Sequence, residues 1–296
     1  MIRAFVRTPA KVNWDLQVLG RRADGFHELR SWFLAAGWWD ELRGVAVASA
    51  GAESGIEVSG PASAGVPAGS ANLVLRAEQA WRAAFPARAR AVPPLRWHLD
   101  KRIPPAAGLG GGSGNAAGAL ALLELLAPEP APAADLAATA LALGSDVAYF
   151  LTHCGGAEWR GGRGETRLGT APAPAGWLVI AVPAFGVATA AAYAELAAPV
   201  WDASVPLFPH QPPAQPGPNA LFAAACRVQP ALAGFARALR NRAPFHMTGS
   251  GSALFAARPD AAAAEELRRR IEPLCRAVCA VPVLDAPALQ PTLARA

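Results

Sequence analysis

The stretch PPAAGLGGGSGNAA, residues 104–117, holds five glycines within seven positions and runs directly into an apolar segment. Glycine has no Cβ, so such a loop can adopt positive φ angles and approach a ligand closely. The apolar segment predicts a helix over residues 113–126, whose first turn offers unpaired N–H donors and the positive end of the helix dipole. A simple turn rarely needs five glycines, so the stretch indicates a loop that binds phosphate.

Two common phosphate-loop patterns do not fit this stretch. The P-loop pattern requires a lysine directly after its last glycine, and no lysine stands there. Residues 112–117, GSGNAA, match the relaxed dinucleotide pattern G-x-G-x-x-A, which should follow a strand directly and precede an acidic residue by about 20 positions. Two prolines intervene instead, and the acidic candidates Glu129 and Asp135 lie in a proline-rich break. A Rossmann oxidoreductase is therefore the weakest of the alternatives.

Length and composition describe a globular chain of two domains or of one large domain. The chain has 296 residues, of which 53% are hydrophobic and 17% charged, which excludes a disordered tail, a collagen and a charged coiled coil. Its four cysteines form no C-x-x-C pair, and the N-terminal segment lacks the apolar core of a signal peptide. The most hydrophobic stretch, residues 177–201, is interrupted by prolines and charges, so no transmembrane helix is expected. We expect a cytoplasmic, reduced protein.

The positive charge of the chain comes almost entirely from arginine. Of the 27 basic residues only Lys11 and Lys101 are lysines, and the net charge is +5. The arginines are scattered, which indicates a general attraction to anions and argues against a nucleic-acid partner. A lysine retained in so arginine-rich a chain points to a position that needs a compact ammonium group.

Hydrophobic patterning predicts alternating strands and helices, and hence an α+β fold. The predicted strands are residues 2–8, 12–19, 29–36, 56–59, 95–100, 177–182, 252–256 and 277–284. Besides the helix over 113–126, helices are predicted over residues 72–85, 135–143, 189–197, 219–228, 230–241 and 260–274. Asn72 is the predicted N-cap of the first helix and Asp135 that of the helix over 135–143.

The glycine-rich stretch resembles the nucleotide loop of the GHMP kinases, whose pattern is P-x-x-x-G-L-G-[GS]-S. Its longer G-G-G-S-x-N-A-A form resembles the 4-diphosphocytidyl-2-C-methyl-D-erythritol kinases within that superfamily. The opening motifs of that family are also present, as PAKVNW at residues 9–14 and GRRADGFHEL at residues 20–29. Further family motifs follow in order, namely residues 72–77 (NLVLRA), 143–150 (LGSDVAYF), 162–165 (GRGE) and 247–252 (MTGSGS). The resemblance covers nearly the whole chain.

Three departures from the family pattern stand out. Gly114 replaces the usual second serine of the loop, which would loosen a phosphate or metal contact. Ser145 and Ala148 replace the usual alanine and proline beside Asp146, which makes that turn less rigid. Residues 219–222 read NALF where the family has N-D-L-E, so two carboxylates are lost.

The resemblance implies a two-domain GHMP kinase fold. Residues 1–155 would form a nucleotide-binding domain like ribosomal protein S5 domain 2, and residues 156–296 a ferredoxin-like domain, with the active site between them. It also implies transfer of the γ-phosphoryl group of ATP, with Mg²⁺, to the 2-hydroxyl of 4-diphosphocytidyl-2-C-methyl-D-erythritol in the non-mevalonate isoprenoid pathway. The expected partners are these small molecules, with no nucleic acid or membrane, and the expected state is a monomer or weak homodimer.

The resemblance assigns the catalytic roles to Asp146 and Lys11. From the residues alone, Asp146 is equally well explained as a solvated turn residue, and Lys11 as a strand lysine whose ammonium reaches solvent. In the family the pair acts together, with the carboxylate accepting the hydroxyl proton. Lys11 would then stabilise the charge of Asp146 and steady the attacking oxygen or the transferring phosphoryl group.

The resemblance also assigns the ligand contacts. The residues expected to bind the ATP phosphates are Pro104, Pro105, Ala106, Ala107, Gly108, Leu109, Gly110, Gly111, Gly112, Ser113 and Gly114. Asn13 is assigned to the substrate, and Phe26 and His27 to its cytidine end. Tyr193 is our candidate for a second stacking face, although a tyrosine that packs its helix onto the sheet is an equal alternative. The turn at residues 249–251 is expected to face the phosphates, and no protein metal site is predicted.

Two further alternatives stay open. Another GHMP kinase acting on a smaller alcohol is the nearer one, and the GRRADGFHEL motif argues against it. The other is a catalytically silent ligand-binding relative. The retention of Lys11 and Asp146 argues against that reading, whereas the missing carboxylates at residues 219–222 favour it.

Overall fold

The computed structural model describes residues 2–47, 53–153, 155–196 and 211–295, which form two β-sheets covered by helices. The strands are β1 (Ile2–Asn13), β2 (Gln17–Arg21), β3 (His27–Ala46), β4 (Gly55–Ser59), β5 (Leu95–Asp100), β6 (Ala157–Gly161), β7 (Thr166–Ala171), β8 (Trp177–Val182), β9 (His246–Met247), β10 (Leu254–Arg258), β11 (Ala277–Pro282) and β12 (Thr292–Arg295). The helices are α1 (Leu73–Ala84), α2 (Pro86–Ala89), α3 (Gly111–Leu126), α4 (Ala133–Leu143), α5 (Ser145–Thr152), α6 (Thr189–Ala194), α7 (Phe222–Val228), α8 (Ala231–Arg240) and α9 (Ala261–Ile271), with a 3₁₀ turn at Glu272–Leu274.

The larger sheet has eight strands built around the long antiparallel pair β1 and β3. Its main order is β12-β1-β3-β5-β4, and β4 and β5 are parallel neighbours in an otherwise antiparallel sheet. Strand β3 also pairs with β2 and β6, and β6 pairs with β7. This sheet therefore draws strands from both sides of the boundary predicted at residues 155 and 156.

The smaller sheet has four antiparallel strands in the order β11-β8-β10-β9. Helix α9 packs on it, and its N-cap Asp260 accepts the backbone N–H of Ala263 at 2.8 Å. The two sheets are joined where the N–H of Leu284 donates to the carbonyl of Ala35 at 2.9 Å. This bond links the chain that follows β11 to the middle of β3, so the two sheets support a shared cleft.

Helix α3 forms the centre of the larger core. It is apolar along almost its whole length, and its buried residues include Leu120, Leu122 and Leu123, each fully buried. Helix α1 packs against it and begins at the predicted N-cap Asn72, whose Oδ1 accepts the N–H of Val74 at 2.9 Å. A helix that is buried on most faces must have an apolar sequence on most faces. The packing of α3 thus fixes the glycine-rich loop that precedes it.

The α+β class, the N-cap at Asn72 and the strand over residues 177–182 were predicted correctly. The predictions of two strands over residues 2–8 and 12–19, and of a strand ending at residue 36, are wrong. Strand β1 continues through Pro9 because the register with β3 shifts there, Pro9 pairing with Trp39 and Ala10 with Ala36. Such a β-bulge absorbs a proline without ending the strand. The prediction of Asp135 as N-cap is also wrong, since α4 begins at Ala133.

No helix within the described ranges has both the length and the apolar character needed to cross a membrane. The predicted helix over residues 189–197 is observed to Ala194, and its last predicted residue lies outside the described residues.

Candidate active site

A cleft of about 1420 Å³ opens between the glycine-rich loop, strand β1 and helices α5 and α6. The predicted site residues that line it are Lys11, Asn13, Phe26, His27, Gly108, Gly110, Ser113, Asp146 and Tyr193. The same cleft is lined by Gly249 and Ser250 of the second glycine turn. The fold therefore gathers residues from six separate segments of the sequence into one cavity.

Lys11 and Asp146 form an ion pair inside this cleft. The Nζ atom of Lys11 lies 3.5 Å from Oδ2 of Asp146, and the two side chains are 5% and 30% exposed. Lys11 reaches this place from β1, and Asp146 stands in the first turn of α5, where the helix dipole favours a negative charge. The carboxylate is thus open to a ligand in the cleft while its cationic partner is almost enclosed.

The Lys11 ammonium is held from two further directions. It donates to Oδ1 of Asn13 at 2.8 Å, and it lies 4.6 Å from the centre of the Phe33 ring. Asn13 is itself fixed, because its Nδ2 donates to Oγ of Ser31 and its backbone N–H donates to Oγ1 of Thr248, at 2.8 and 2.9 Å. The ammonium group therefore has a defined position beside the carboxylate before any ligand binds.

The glycine-rich loop is tied to both sheets. The N–H of Lys11 donates to the carbonyl of Leu109 at 2.9 Å, and the N–H of Ala253 donates to the carbonyl of Ala107 at 3.1 Å. At Gly108, φ is +77° and a Cβ would lie 2.5 Å from the carbonyl oxygen of Thr248, so only glycine fits there. The loop is a rigid part of the cleft wall.

Helix α3 starts directly after this loop and points its first turn at the cleft. Gly110 is the N-cap with φ of +70°, and no side chain caps the helix. Of the eleven predicted phosphate-binding residues, Gly108, Gly110 and Ser113 line the cleft. Those buried behind its surface are Pro104, Ala107, Leu109, Gly111 and Gly114, whereas Pro105 and Gly112 are half-buried and Ala106 is exposed.

A buried ion pair supports the loop from behind. The ammonium of Lys101 contacts Oδ2 of Asp40, and both side chains are almost completely buried. Oδ1 of Asp40 accepts the backbone N–H groups of Arg102 and Ile103 at 2.7 and 2.8 Å, and its Oδ2 accepts Nδ2 of Asn115 at 2.9 Å. Asp40 thereby connects both ends of the glycine-rich loop.

The sequence motifs assign no role to this pair, although Lys101 stands out as the second of two lysines. Burial lowers the pKa of the Lys101 ammonium, and the charge of Asp40 opposes that effect. A Cβ added to Gly111 would lie 2.8 Å from Nζ of Lys101. The ammonium therefore sits directly beneath the first turn of α3, where a compact group is required.

The aromatic residues meet at the opposite end of the cleft. The ring of Tyr193 stacks on His27, with centroids 5.3 Å apart and planes inclined by 27°. Phe26 is 50% exposed, and the guanidinium carbon of Arg163 lies 4.4 Å from its ring centre. The structure thus places Tyr193 against His27 in the cleft that Phe26 also lines. Arg163 is a lining residue that the sequence analysis did not single out.

Two pKa shifts belong to this end of the cleft. Burial lowers the pKa of His27 below its usual value, and the charge of Arg21 lowers it further, so the ring is neutral at pH 7. Burial raises the pKa of the Tyr193 hydroxyl, and the charge of Asp146 adds to that rise. His27, Tyr193, Lys11 and Asp146 all line the same cleft, so the aromatic pair and the ion pair belong to one continuous cavity.

The second glycine turn is held by Asn219, the remaining polar residue of the altered segment at 219–222. Its Nδ2 donates to the carbonyls of Met247 and Gly249, both at 2.9 Å. Ser250 then contacts Oγ1 of Thr189 with its hydroxyl at 2.7 Å. Asn219 therefore helps to hold this turn without the two carboxylates that the segment lacks.

Within the described residues no group of three or more His, Cys, Asp or Glu side chains is arranged to hold a metal ion. The oxygen-bearing side chains that line the cleft include the Ser113 hydroxyl, in the first turn of α3, and the Asp146 carboxylate. Mg²⁺ in phosphate-binding sites is typically held by one or two protein oxygens together with phosphates and water. This donor set fits a magnesium ion that arrives with a phosphate ligand.

Comparison with known proteins identifies the relatives of this chain. Residues 72–154 match the model of the GHMP kinases N terminal domain. A 4-diphosphocytidyl-2-C-methyl-D-erythritol kinase of Polaromonas sp. is 37% identical over 266 residues, which cover 86% of this chain and 83% of the relative. The enzyme of the same name from Moorella thermoacetica is 33% identical over 88% of this chain and 92% of its own length.

A solved structure agrees with these relatives. The crystal structure of a 4-(cytidine 5'-diphospho)-2C-methyl-D-erythritol kinase superimposes with a TM-score of 0.72 at 30% identity. The match covers 96% of this chain and 99% of that one. The similarity therefore extends over both sheets and the cleft between them.

Proposed function

The chain belongs to the family of 4-diphosphocytidyl-2-C-methyl-D-erythritol kinases, and we propose from this membership how its cleft performs the reaction. It is a small-molecule kinase of isoprenoid biosynthesis that uses ATP to phosphorylate 4-diphosphocytidyl-2-C-methyl-D-erythritol. The observation that carries the proposed mechanism is the Lys11–Asp146 ion pair at the centre of the cleft, with Nζ and Oδ2 3.5 Å apart.

Asp146 is the proposed general base. Its carboxylate is partly exposed in the cleft, so the 2-hydroxyl of the substrate can donate its proton to the carboxylate as the oxygen attacks the γ-phosphorus of ATP. The bond between the γ-phosphorus and the β–γ bridging oxygen breaks, and ADP leaves. Such transfer depends mainly on positioning and on the neutralisation of charge, so a carboxylate of fixed geometry is sufficient.

Lys11 supplies the positive charge of this step. Its ammonium is held by Asn13 and Asp146 and lies almost out of contact with solvent, where a charge acts more strongly than in water. In that position it stabilises the Asp146 carboxylate and the negative charge on the attacking oxygen. Asn13 acts as a positioning residue for the ammonium and lies within the same substrate-binding wall.

The glycine-rich loop and the first turn of α3 form the proposed site for the ATP phosphates. Gly108, Gly110 and Ser113 reach the cleft directly, and the uncapped helix start presents backbone N–H donors and the positive end of the dipole. The other predicted loop residues, from Pro104 to Gly114, act by fixing the backbone. The Ser113 hydroxyl and the Asp146 carboxylate would complete the coordination of Mg²⁺, which neutralises phosphate charge when bound.

The aromatic end of the cleft is the proposed cytidine site. Phe26 presents an exposed ring on which a cytosine can stack, and the neutral His27 ring beside it offers a polar edge. Tyr193 stacks on His27 and extends the aromatic wall towards Asp146. A substrate with its base at Phe26 would therefore direct its alcohol end along this wall towards the catalytic pair.

We further propose that the protein acts as a monomer or a weak homodimer. ATP is the phosphoryl donor, and this requirement agrees with the cytoplasmic location that we propose. Sedimentation velocity over a hundredfold range of protein concentration tests the oligomeric state.

The direct test of the function is release of ADP with different alcohols. Purified protein with MgATP is given 4-diphosphocytidyl-2-C-methyl-D-erythritol, galactose, homoserine or mevalonate in parallel. We expect ADP to be released at a substantial rate only with the cytidine-linked substrate. Equal or faster release with a smaller alcohol would assign the chain to another acceptor, and no release with any of them would make it a silent relative.

A further inference from the structure

The wall of the cleft carries more positive than negative charge. The side chains of Lys11, Arg21 and Arg163 line it, and Asp146 is its one carboxylate among the described residues. Lys11 is paired with Asp146. The two arginines form no ion pair with any carboxylate in the part of the chain that the structure describes. Two guanidinium groups are therefore available for an anionic ligand.

The neighbouring Arg22 differs from these two arginines, because it forms ion pairs with acidic residues near its own turn. It lies 3.3 Å from Oδ2 of Asp24 and donates to Oε2 of Glu28 at 2.7 Å. Arg21 is the last residue of β2, and of these two neighbouring arginines it is the one that lines the cleft. The charge of Arg21 instead acts on His27 in the cleft. The guanidinium of Arg22 is thus bound by Asp24 and Glu28, whereas that of Arg21 forms no ion pair with either of them.

Arg163 is carried by a fixed turn between β6 and β7. The carboxylate of Glu165 accepts the backbone N–H of Arg163 at 2.5 Å, so this nearby acid is bound to the backbone and not to the guanidinium. The N–H of Gly162 donates to Oε1 of Glu28 at 2.8 Å, which attaches the turn to β3. The guanidinium itself lies over the Phe26 ring. It is thus placed at the cytidine end of the cleft.

We propose that Arg21 and Arg163 form a subsite for the diphosphate group that links the cytidine and erythritol parts of the acceptor. The inference rests on the proposed function, since it assumes that the cytosine lies at Phe26. Guanidinium groups match phosphate oxygens in geometry and remain charged at every physiological pH. The subsite selects nucleoside diphosphate-linked alcohols over uncharged alcohols. Without it, the same catalytic pair could phosphorylate either kind of alcohol.

A competing explanation is that Arg163 only supports the Phe26 ring through a cation–π contact. The two explanations differ in their dependence on the charge of the ligand. A support for Phe26 would strengthen the binding of cytidine and of cytidine 5'-diphosphate equally. A diphosphate subsite would strengthen only the binding of the charged ligand.

Calorimetric titration with cytidine and with cytidine 5'-diphosphate separates these explanations. ADP is kept saturating, so that the glycine-rich loop is occupied and the added ligand reports on the acceptor site. The proteins are the unaltered chain, Arg21→Gln, Arg163→Gln and the double variant. Arg269→Gln is the matched control, because it removes the same charge from an exposed position on α9, away from the cleft.

We expect each single variant to bind cytidine 5'-diphosphate about tenfold more weakly and the double variant about a hundredfold, with cytidine binding changed by less than about twofold. In turnover assays the loss should appear mainly as a higher KM for the cytidine-linked substrate. Equal losses for both ligands, or no loss for either, would overturn the subsite. Failure of the proposed function is distinguished separately, because the unaltered chain would then release no ADP with that substrate.

Discussion

The ring of Tyr193 stacks on the ring of His27 across the cleft, with centroids 5.3 Å apart. Tyr193 belongs to α6 and His27 begins β3, so the contact joins the helix that follows β8 to the start of β3. Asp146 is close enough for its charge to raise the pKa of the Tyr193 hydroxyl. The aromatic pair thus lies in the same cleft as the exposed Phe26 and Asp146, the carboxylate that we propose as the general base.

Phe26→Ala should weaken binding of the cytidine-linked substrate by about tenfold to a hundredfold, because it removes a stacking face that is typically worth about 1–3 kcal/mol. Tyr193→Ala should have a similar effect if its ring borders the bound base. The KM values for substrate and for ATP, measured separately, check this prediction. Phe26→Trp, which keeps a flat face, serves as the control and should retain most of the affinity.

A particular result would reverse the orientation of the two ligands. If Phe26→Ala raised the KM for ATP and left that for the cytidine substrate unchanged, the nucleotide donor would occupy the aromatic end.

The pH dependence of substrate binding should follow His27. Its pKa lies below the usual 6.5, first through burial and then through the charge of Arg21, so the ring is neutral above that value. Affinity for cytidine should therefore be constant at neutral pH and fall as acid protonates the ring. Removing the charge in Arg21→Gln raises the pKa, so the decline should begin at a higher pH.

Calorimetric titration of cytidine from about pH 5 to pH 8 measures this decline. His27→Asn should abolish it. A decline that persists unchanged in His27→Asn would show that another group is responsible.

Features of the fold that depend on residues close together in the sequence could be predicted, and features that depend on distant residues could not. The strand Trp177–Val182 is a continuous apolar run, and the N-cap Asn72 acts two residues away, so both were visible in the sequence. The continuation of β1 through Pro9 was not, because it depends on the pairing of Pro9 with Trp39 across the sheet. A cross-strand register is a tertiary property that local propensity does not contain.

The glycine loop can be tested by comparing two adjacent positions. At Gly112 an added Cβ would lie 3.3 Å from Cδ1 of Leu73, the flexible end of a side chain, so Gly112→Val should disturb the packing little. ATP affinity should fall by about a hundredfold or more while the melting temperature without nucleotide changes little. Titration calorimetry and thermal unfolding provide the two readings.

Gly111→Ala is the contrasting variant at the same loop. Its Cβ would lie 2.8 Å from Nζ of Lys101 and 2.9 Å from Cγ2 of Ile103, so overpacking should cost about 1–3 kcal/mol of folding free energy. If Gly112→Val destabilised the fold as much as Gly111→Ala does, Gly112 would be structural and its assignment to phosphate would fail.

Lys11→Met should lower turnover by about a hundredfold to a thousandfold, because it removes the charge that faces the attacking oxygen. Methionine keeps an unbranched side chain one atom shorter than that of lysine, and it removes both the ion pair with Asp146 and the contact of Nζ with the Phe33 ring. The double variant Lys11→Met, Asp146→Asn should lose much less turnover than the sum of the two single losses in activation free energy, since the two groups are proposed to act as a unit. Additive losses would indicate that Lys11 and Asp146 contribute independently.

The candidate site was only partly accessible to sequence reasoning. Lys11 stood out because lysine is rare in this chain, and Asp146 because a family motif surrounds it. Arg163 could not be recognised as a site residue for the opposite reason. Arginine accounts for nearly all of the 27 basic residues, so a single arginine does not stand out in the sequence. The ion pair between Asp40 and Lys101 depends on the pairing of β3 with β5, which the local sequence does not reveal.

The turnover number of Asp146→Asn tests the proposed mechanism most directly. The substitution preserves size and hydrogen bonding but removes the proton acceptor, so kcat should fall by about two to four orders of magnitude while ATP affinity remains nearly unchanged. Asp135→Asn, an exposed carboxylate of α4 outside the cleft, is the matched control and should retain full activity. A kcat for Asp146→Asn within about threefold of that of the unaltered chain would contradict the mechanism and remove Asp146 from it.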